Sequence, residues 1–157
     1  MLGTRTISTP EEMHELGLEI GQELRAGDVL VLTGPLGAGK TTLTRGIGEG
    51  LQVRGPVTSP TFVLARTHPS LIDGAPLVHV DAYRLNSAVE LDDLDIDFAN
   101  SVVIVEWGAG MLDGIVDSWL DVVIERPEGG QAGELGEELV EPRHVTLTGH
   151  GARWEKS

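Results

Sequence analysis

The sequence predicts an α/β fold in which a mixed sheet, with a parallel core and antiparallel additions, has helices on both faces. Near-continuous apolar runs at residues 29–32 and 101–105 are typical of central parallel strands that are covered on both sides. Apolar residues at helical spacing lie on both sides of the first run, which indicates an alternation of helices and strands. Residues 62–66 and 77–81 read as two strands joined by a turn-rich segment, which favours an antiparallel pair.

The first predicted helix begins with a capping pattern. Thr9 is the N-cap, Pro10 occupies the first helical position, and Glu12 reaches back as in a capping box. Apolar residues then recur at helical spacing for about fifteen residues, and Gly27 can end the helix.

Residues 34–41 match the phosphate-loop pattern G-x-x-x-x-G-K-[ST], between the strand at 29–32 and a predicted helix at 41–51. Its glycines allow the backbone N–H groups to point at phosphate oxygens, and the helix adds the positive end of its dipole. Lys40 would lie between the β- and γ-phosphates, and the Thr41 hydroxyl would bind Mg²⁺. A merely structural turn explains the lysine beside three glycines poorly, so the fold is predicted to be of the P-loop NTPase type.

Two turns near this phosphate loop have more than one interpretation. Capping alone explains Thr9 and Pro10, or both also lie near the adenine, because their turn is close in sequence to the nucleotide-binding strand. Ser59 and Thr61, in a stretch with two prolines, present hydroxyls where nucleotide hydrolases usually keep a γ-phosphate sensor. A simple proline turn explains the same pattern.

Two acidic residues end predicted strands. Glu106 follows the run at 101–105 and precedes Trp107, which is the Walker B arrangement for holding Mg²⁺ or one of its waters. Asp81 is either delivered to the sheet edge where ligands collect or is a solvated acid at a strand end. The acids within residues 87–100 lack the glycine and terminal glutamate of a calcium loop, so they indicate a solvated face or a docking patch for a basic partner.

Length and composition indicate a single domain, residues 1–157. Within it, residues 127–142 are predicted to form a flexible acidic loop, and the tail at 150–157 is predicted to fray, with Trp154 outside the core. No apolar run approaches the length of a membrane span, no signal peptide is visible, and the sequence has no cysteine, so a cytoplasmic location is expected.

The net charge of −14, with only two lysines, argues against tight direct binding of nucleic acid. If RNA is involved, a basic partner must supply the contact.

Three further motifs accompany the phosphate loop, namely S-P-T-F at 59–62, D-A-Y-R-L at 81–85 and V-E-W at 105–107. In this order and at this chain length they resemble the TsaE family, also called YjeE, the small bacterial P-loop ATPases of tRNA threonylcarbamoyladenosine modification. The resemblance covers residues 9–143, and the loop at 127–142 departs from it because it looks longer than the family needs.

The resemblance implies an ATPase that uses ATP and Mg²⁺, acts with the partner proteins TsaD and TsaB, and meets tRNA only through them, with no membrane or DNA partner. It implies that the phosphates are bound by Gly37, Ala38, Gly39, Lys40, Thr41 and Thr42. It also implies that Thr41 and Glu106 hold Mg²⁺, that Thr61 senses the γ-phosphate, and that Asp81 positions water or metal. Trp107 and Arg143 become candidates for residues near the nucleotide.

Three other functions stay open. A small-molecule kinase would need a basic lid, and residues 127–142 contain no basic side chain. A guanine-nucleotide switch would need N-K-x-D and D-x-x-G motifs, which the sequence lacks. A regulatory module would bind nucleotide without hydrolysing it. The motifs contain no evident arginine finger, although Arg84 is placed to be one, so hydrolysis by the isolated protein is expected to be slow.

Overall fold

The computed structural model describes residues 3–34, 39–53, 65–81, 96–106, 116–125 and 142–155. The strands are β1 (Gly3–Ile7), β2 (Val29–Thr33), β3 (Ala65–His68), β4 (Leu77–Asp81), β5 (Val102–Glu106), β6 (Trp119–Glu125) and β7 (Arg143–His150). The helices are α1 (Pro10–Glu23), α2 (Lys40–Leu51) and α3 (Ala152–Glu155). Among the described helices, none combines the length and the apolar character needed to cross a bilayer.

The seven described strands form one sheet in the order β1-β7-β6-β2-β5-β4-β3. The four central strands, β6, β2, β5 and β4, run parallel to one another. On one side, β7 and β1 add antiparallel strands, and on the other side β3 pairs antiparallel with β4. This confirms the predicted parallel core with antiparallel additions.

The residues of β2 alternate between two apolar layers. Leu30 and Leu32 face α1 and α2, where they join one core cluster with residues such as Ile47. Val29 and Val31 face the opposite layer, which in the described part also contains side chains from the segments before β5 and β6. Both long helices therefore cover the same face of the sheet. The prediction of helices on the second face falls on residues 82–95 and 107–115, outside the described residues.

The start of α1 has the predicted Thr9 cap, while Glu12 reaches back to the N–H of Ser8 and not to that of Thr9 as in a capping box. The Thr9 hydroxyl accepts a hydrogen bond from the Glu12 N–H at 3.0 Å, and the Glu12 carboxylate accepts one from the Ser8 N–H at 2.7 Å. Pro10 is the first helical residue, and Leu24 caps the other end. The start of the helix is therefore fixed by local sequence, as its pattern predicts, whereas the helix ends at Glu23, before the predicted Gly27.

Helices α1 and α2 touch backbone to backbone at two pairs of glycines. A Cβ atom on Gly46 would lie 3.0 Å from the Cα of Gly17, and one on Gly50 would lie 3.1 Å from the Cα of Gly21. Each added Cβ would come closer still to a carbonyl oxygen of the other helix. Glycines four residues apart on both helices thus replace the usual layer of side chains with direct main-chain contact.

The prediction of a frayed tail is wrong for the described residues up to 155. His150 belongs to β7, and Trp154 is only 8% exposed and joins the core cluster with the helices. The Arg153 guanidinium donates to both carboxylate oxygens of the buried Asp28, at 2.8 and 3.0 Å. The tail is polar and rich in glycine, so its local pattern gives no sign of a buried ion-pair partner 125 residues away.

We expect Gly46→Ala to lower the free energy of unfolding by about 1–3 kcal/mol, because the new methyl group would be forced into the main chain of α1. The sign is diagnostic, since alanine in an unobstructed helix stabilises by about 1 kcal/mol relative to glycine. Urea denaturation followed by circular dichroism measures the change. Gly74→Ala is the control, because its Cβ would lie 3.4 Å from the nearest atom, the Ser70 hydroxyl oxygen. A Gly46→Ala protein as stable as the parent would contradict the main-chain contact.

Candidate functional site

The carboxyl ends of three parallel strands bring the candidate site together. Asp81 at the end of β4 is paired in register with Glu106 at the end of β5, and Glu106 is paired with Leu32 in β2. Gly34, the first residue of the phosphate loop, follows β2 directly. The two carboxylates and the loop therefore share one edge of the sheet, which is where open α/β sheets bind their ligands.

The described part of the phosphate loop has the geometry that its glycines permit. Gly39 caps α2 with a φ of 110°, in the left-handed region that only glycine adopts readily. Helix α2 then begins at Lys40, whose ammonium group donates to the Gly34 carbonyl at 2.5 Å. Gly37 and Ala38, which belong to the predicted phosphate-binding set, lie outside the described residues.

Burial and the two acids at the strand ends both affect the pKa of Lys40. Burial lowers the pKa of its ammonium group, while the charges of Glu106 and Asp81 act in the opposite direction. The lysine is thus close enough to both carboxylates to respond to their charge. The site as a whole combines one positive and two negative side chains at the start of a helix.

The side chains at the start of α2 offer oxygen ligands. Thr41 is exposed and Thr42 is half-buried, both in the first turn after Lys40. The described residues contain no group of three His, Cys, Asp or Glu side chains that could hold a metal by themselves. Mg²⁺ does not need such a cage, because it is usually held by one or two side chains together with phosphates and water. The hydroxyl of Thr41 and the carboxylates of Glu106 and Asp81 are hard oxygen donors that fit it.

His79 is a site residue that the sequence analysis misses. Its Nε2 lies 2.6 Å from Oε2 of Glu106, and the two side chains are only 1% and 8% exposed. A histidine inside an otherwise apolar strand, two residues before Asp81, is the signal that could have pointed to it. Because residues two apart in a strand point to the same side, His79 and Asp81 both face the helix layer.

Helix α1 reaches the phosphate loop through Met13. The Met13 side chain packs against Gly39, where an added Cβ would lie 3.1 Å from the Met13 Cε. The glycine contact between the two helices holds α1 in this place. A side chain on α1 therefore limits the space beside the turn that starts α2.

Three candidates for nucleotide contact lie along the same edge of the sheet. Arg143, the first residue of β7, pairs with Ile7 and lies at the carboxyl end of β6. Since β6 runs parallel to β2, Arg143 and the chain leading from Ile7 into Thr9 and Pro10 share the edge with the phosphate loop. The structure gives Thr9 a capping role, and nucleotide contact by Thr9, Pro10 and Arg143 stays a prediction.

Two other predicted site residues, Thr61 and Trp107, lie outside the described part of the chain, as does Ser59. The structure therefore brings together Lys40, Asp81 and Glu106, adds His79, and leaves the hydroxyl-bearing turn at 59–62 as a prediction.

Comparison with known proteins gives consistent results. The family model described as "Threonylcarbamoyl adenosine biosynthesis protein TsaE" matches residues 7–137. A protein of Streptomyces coelicolor named "tRNA threonylcarbamoyladenosine biosynthesis protein TsaE" is 56% identical over 145 residues, covering 90% of this chain and 93% of its own. A Bacillus subtilis protein of the same name is 36% identical over 155 residues, covering 96% of this chain and 87% of its own.

A solved structure agrees with the fold. The crystal structure of Bacillus subtilis YdiB matches with a TM-score of 0.72 and 29% identity, over 97% of this chain and 88% of that one. Together with the phosphate loop and the acids at the strand ends, these matches show that the chain belongs to the TsaE family.

Proposed function

We propose that the protein binds ATP with Mg²⁺ at the carboxyl edge of β2, β5 and β4, hydrolyses it slowly, and serves the biosynthesis of threonylcarbamoyladenosine in tRNA together with TsaD and TsaB. One observation carries the proposal of a nucleotide site, namely Lys40 at the start of α2 within the field of Glu106 and Asp81. The family and the names of the relatives support the place in tRNA modification.

The triphosphate is bound by the start of α2. Its first N–H groups and the helix dipole favour an anion, and Lys40 adds a full positive charge. The ammonium group that donates to the Gly34 carbonyl turns to the β- and γ-phosphate oxygens when nucleotide binds. A bond to a charged phosphate is stronger than one to a neutral carbonyl, so the exchange favours binding.

Two carboxylates beside a triphosphate would repel it unless a cation lay between them. Thr41 and Glu106 would hold Mg²⁺ there, with Asp81 as a further oxygen donor. The ion, when bound, supplies neutralisation of charge on the β- and γ-phosphates. This explains why a site for an anion has acids at two neighbouring strand ends.

The residue that orients the attacking water is one of the two acids. Glu106 is buried and has one oxygen bound to His79, whereas Asp81 is half-buried at the tip of β4. The more accessible Asp81 is therefore the better placed to contact a solvent molecule. Glu106 is the better suited to a fixed metal-binding role.

The charge of the chain supports a role through partners. With a net charge of −14, the protein repels a tRNA backbone, so TsaD and TsaB would carry the contact with the substrate RNA. Hydrolysis would be slow in the isolated protein and faster in the complex, since an arginine supplied in position raises such rates by about 10³ to 10⁵ in known cases.

We expect Lys40→Ala to weaken ATP binding at least about 30-fold, because the half-buried positive charge proposed to bind the phosphates is lost. Isothermal titration calorimetry measures the affinity. Lys156→Ala is the matched control, since Lys156 is the other lysine of the sequence and its replacement removes the same charge. If Lys40→Ala bound ATP as tightly as the parent, the assignment of residues 34–41 as a phosphate loop would be wrong.

Phosphate release from ATP tests the proposed function directly. We expect slow release by the protein alone and a rate at least about tenfold higher with purified TsaD and TsaB, because the partners complete the site. A small-molecule kinase would release little phosphate and would need an acceptor, and a regulatory module would release none under either condition. Equal rates with and without the partners would speak against the proposed complex.

A further inference from the structure

The ring of His79 is placed to act on Glu106. It belongs to β4, next to β5, and its Nε2 meets Oε2 of Glu106 at 2.6 Å across the two strands. Both side chains face the layer of α1 and α2, because their neighbours in the two strands, Val80 and Val105, face the other layer. Glu106 therefore lies at the end of β5 and His79 lies two residues before the end of β4, on the face of the sheet that α1 and α2 cover.

Stability alone explains this histidine poorly. A polar ring that is 1% exposed loses its contact with water, and burial of a polar group is unfavourable unless hydrogen bonds replace that contact. Its Nδ1 is buried and has no hydrogen-bond partner within the described residues. The bond to Glu106 is thus the one described hydrogen bond of the ring, and an apolar residue beside Leu77 and Ile104 would pack there without that penalty.

We propose that His79 is a positioning residue that fixes the carboxylate of Glu106 for Mg²⁺. An ionised carboxylate only accepts hydrogen bonds, so Nε2 is the donor and Oε2 the acceptor. With Oε2 held, the side chain of Glu106 keeps one orientation, and Oε1 is the oxygen that serves the metal. The inference rests on the proposed function, in which Glu106 holds the ion of the nucleotide complex. Partners that hold metal ligands in this way typically affect metal affinity by about 10- to 100-fold.

The chain contains a second pair of the same kind that serves as a control. Nε2 of His150 donates to Oδ2 of Asp121 at 2.7 Å, and the ring of His150 stacks on Trp119. Asp121 alternates with Leu120 and Val122, which face the helices, so this pair lies on the opposite face of the sheet. This pair is also more exposed, at 41% for His150 and 30% for Asp121. It lies near the amino end of β6.

Two amide substitutions separate the hydrogen bond from the mere presence of a polar group. In His79→Gln the amide nitrogen falls close to the place of Nε2 and can donate to Glu106, whereas in His79→Asn it falls close to Nδ1 and cannot reach. We expect His79→Asn to raise the Mg²⁺ concentration for half-maximal ATP hydrolysis by about 10-fold or more, with a fall in kcat. ATP affinity measured in EDTA should not change, because Lys40 and the start of α2 bind the phosphates without the metal. His79→Gln should recover most of the Mg²⁺ response.

The controls assign each outcome. His150→Asn should leave the Mg²⁺ requirement unchanged, and urea denaturation reports whether each variant is folded. The role of His79 is overturned if folded His79→Asn keeps the parent Mg²⁺ requirement while Glu106→Gln raises it. If Glu106→Gln also keeps that requirement, the metal assignment of the proposed function fails as well. If His79→Asn and His79→Gln shift it equally, the hydrogen bond is not the cause and the proposal is also overturned.

Discussion

The parallel pairing of β5 between β2 and β4 is the constraint on which the site depends. Its register sets Leu32, Glu106 and Asp81 side by side at one edge, where β2 continues into the phosphate loop. A shift of β5 by one residue would turn Glu106 to the opposite face and break its bond with His79. The apolar residues of β5, all buried, oppose such a shift because each belongs to one of two separate layers. Core packing thus fixes the position of a polar group.

A second constraint places α2, the helix that is proposed to receive the phosphates. The glycine contact brings α1 and α2 together at main-chain distance, and both helices pack their apolar side chains on the same face of the sheet. Met13 then lies against Gly39, the turn from which α2 starts. A change in the angle between the helices would therefore alter the contact of Met13 with Gly39 at the phosphate loop. Rigid main-chain contact is useful here, because donors for a phosphate must be in place before the ligand arrives.

Local pattern predicts most elements and half of the site. The Thr9 cap, the start of α2 at Lys40 and the acids at the ends of β4 and β5 are all signalled by a few neighbouring residues, and the structure places them as expected, while residues 35–38 of the phosphate loop lie outside the described residues. Three features are missed because they depend on strand order or on distant partners. His79 is hydrogen-bonded to Glu106, which is 27 residues away in the sequence. Arg153 is hydrogen-bonded to Asp28, which is 125 residues away. The buried Trp154 follows from that second pair, since a tail tied to Asp28 also packs its aromatic ring.

The charges of the site explain why a histidine suits this position better than a lysine or an arginine. Lys40 already faces Glu106 and Asp81, and burial lowers its pKa while these acids oppose the shift. A second permanent cation beside Glu106 would neutralise the carboxylate and weaken its attraction for Mg²⁺. An imidazole can donate a hydrogen bond without carrying the permanent charge of a lysine or an arginine, so it can fix the orientation of Glu106 without a second permanent cation. In the proposed site, the buried pair in β4 and β5 would thereby separate two requirements of a metal ligand, orientation and charge, and assign them to different side chains.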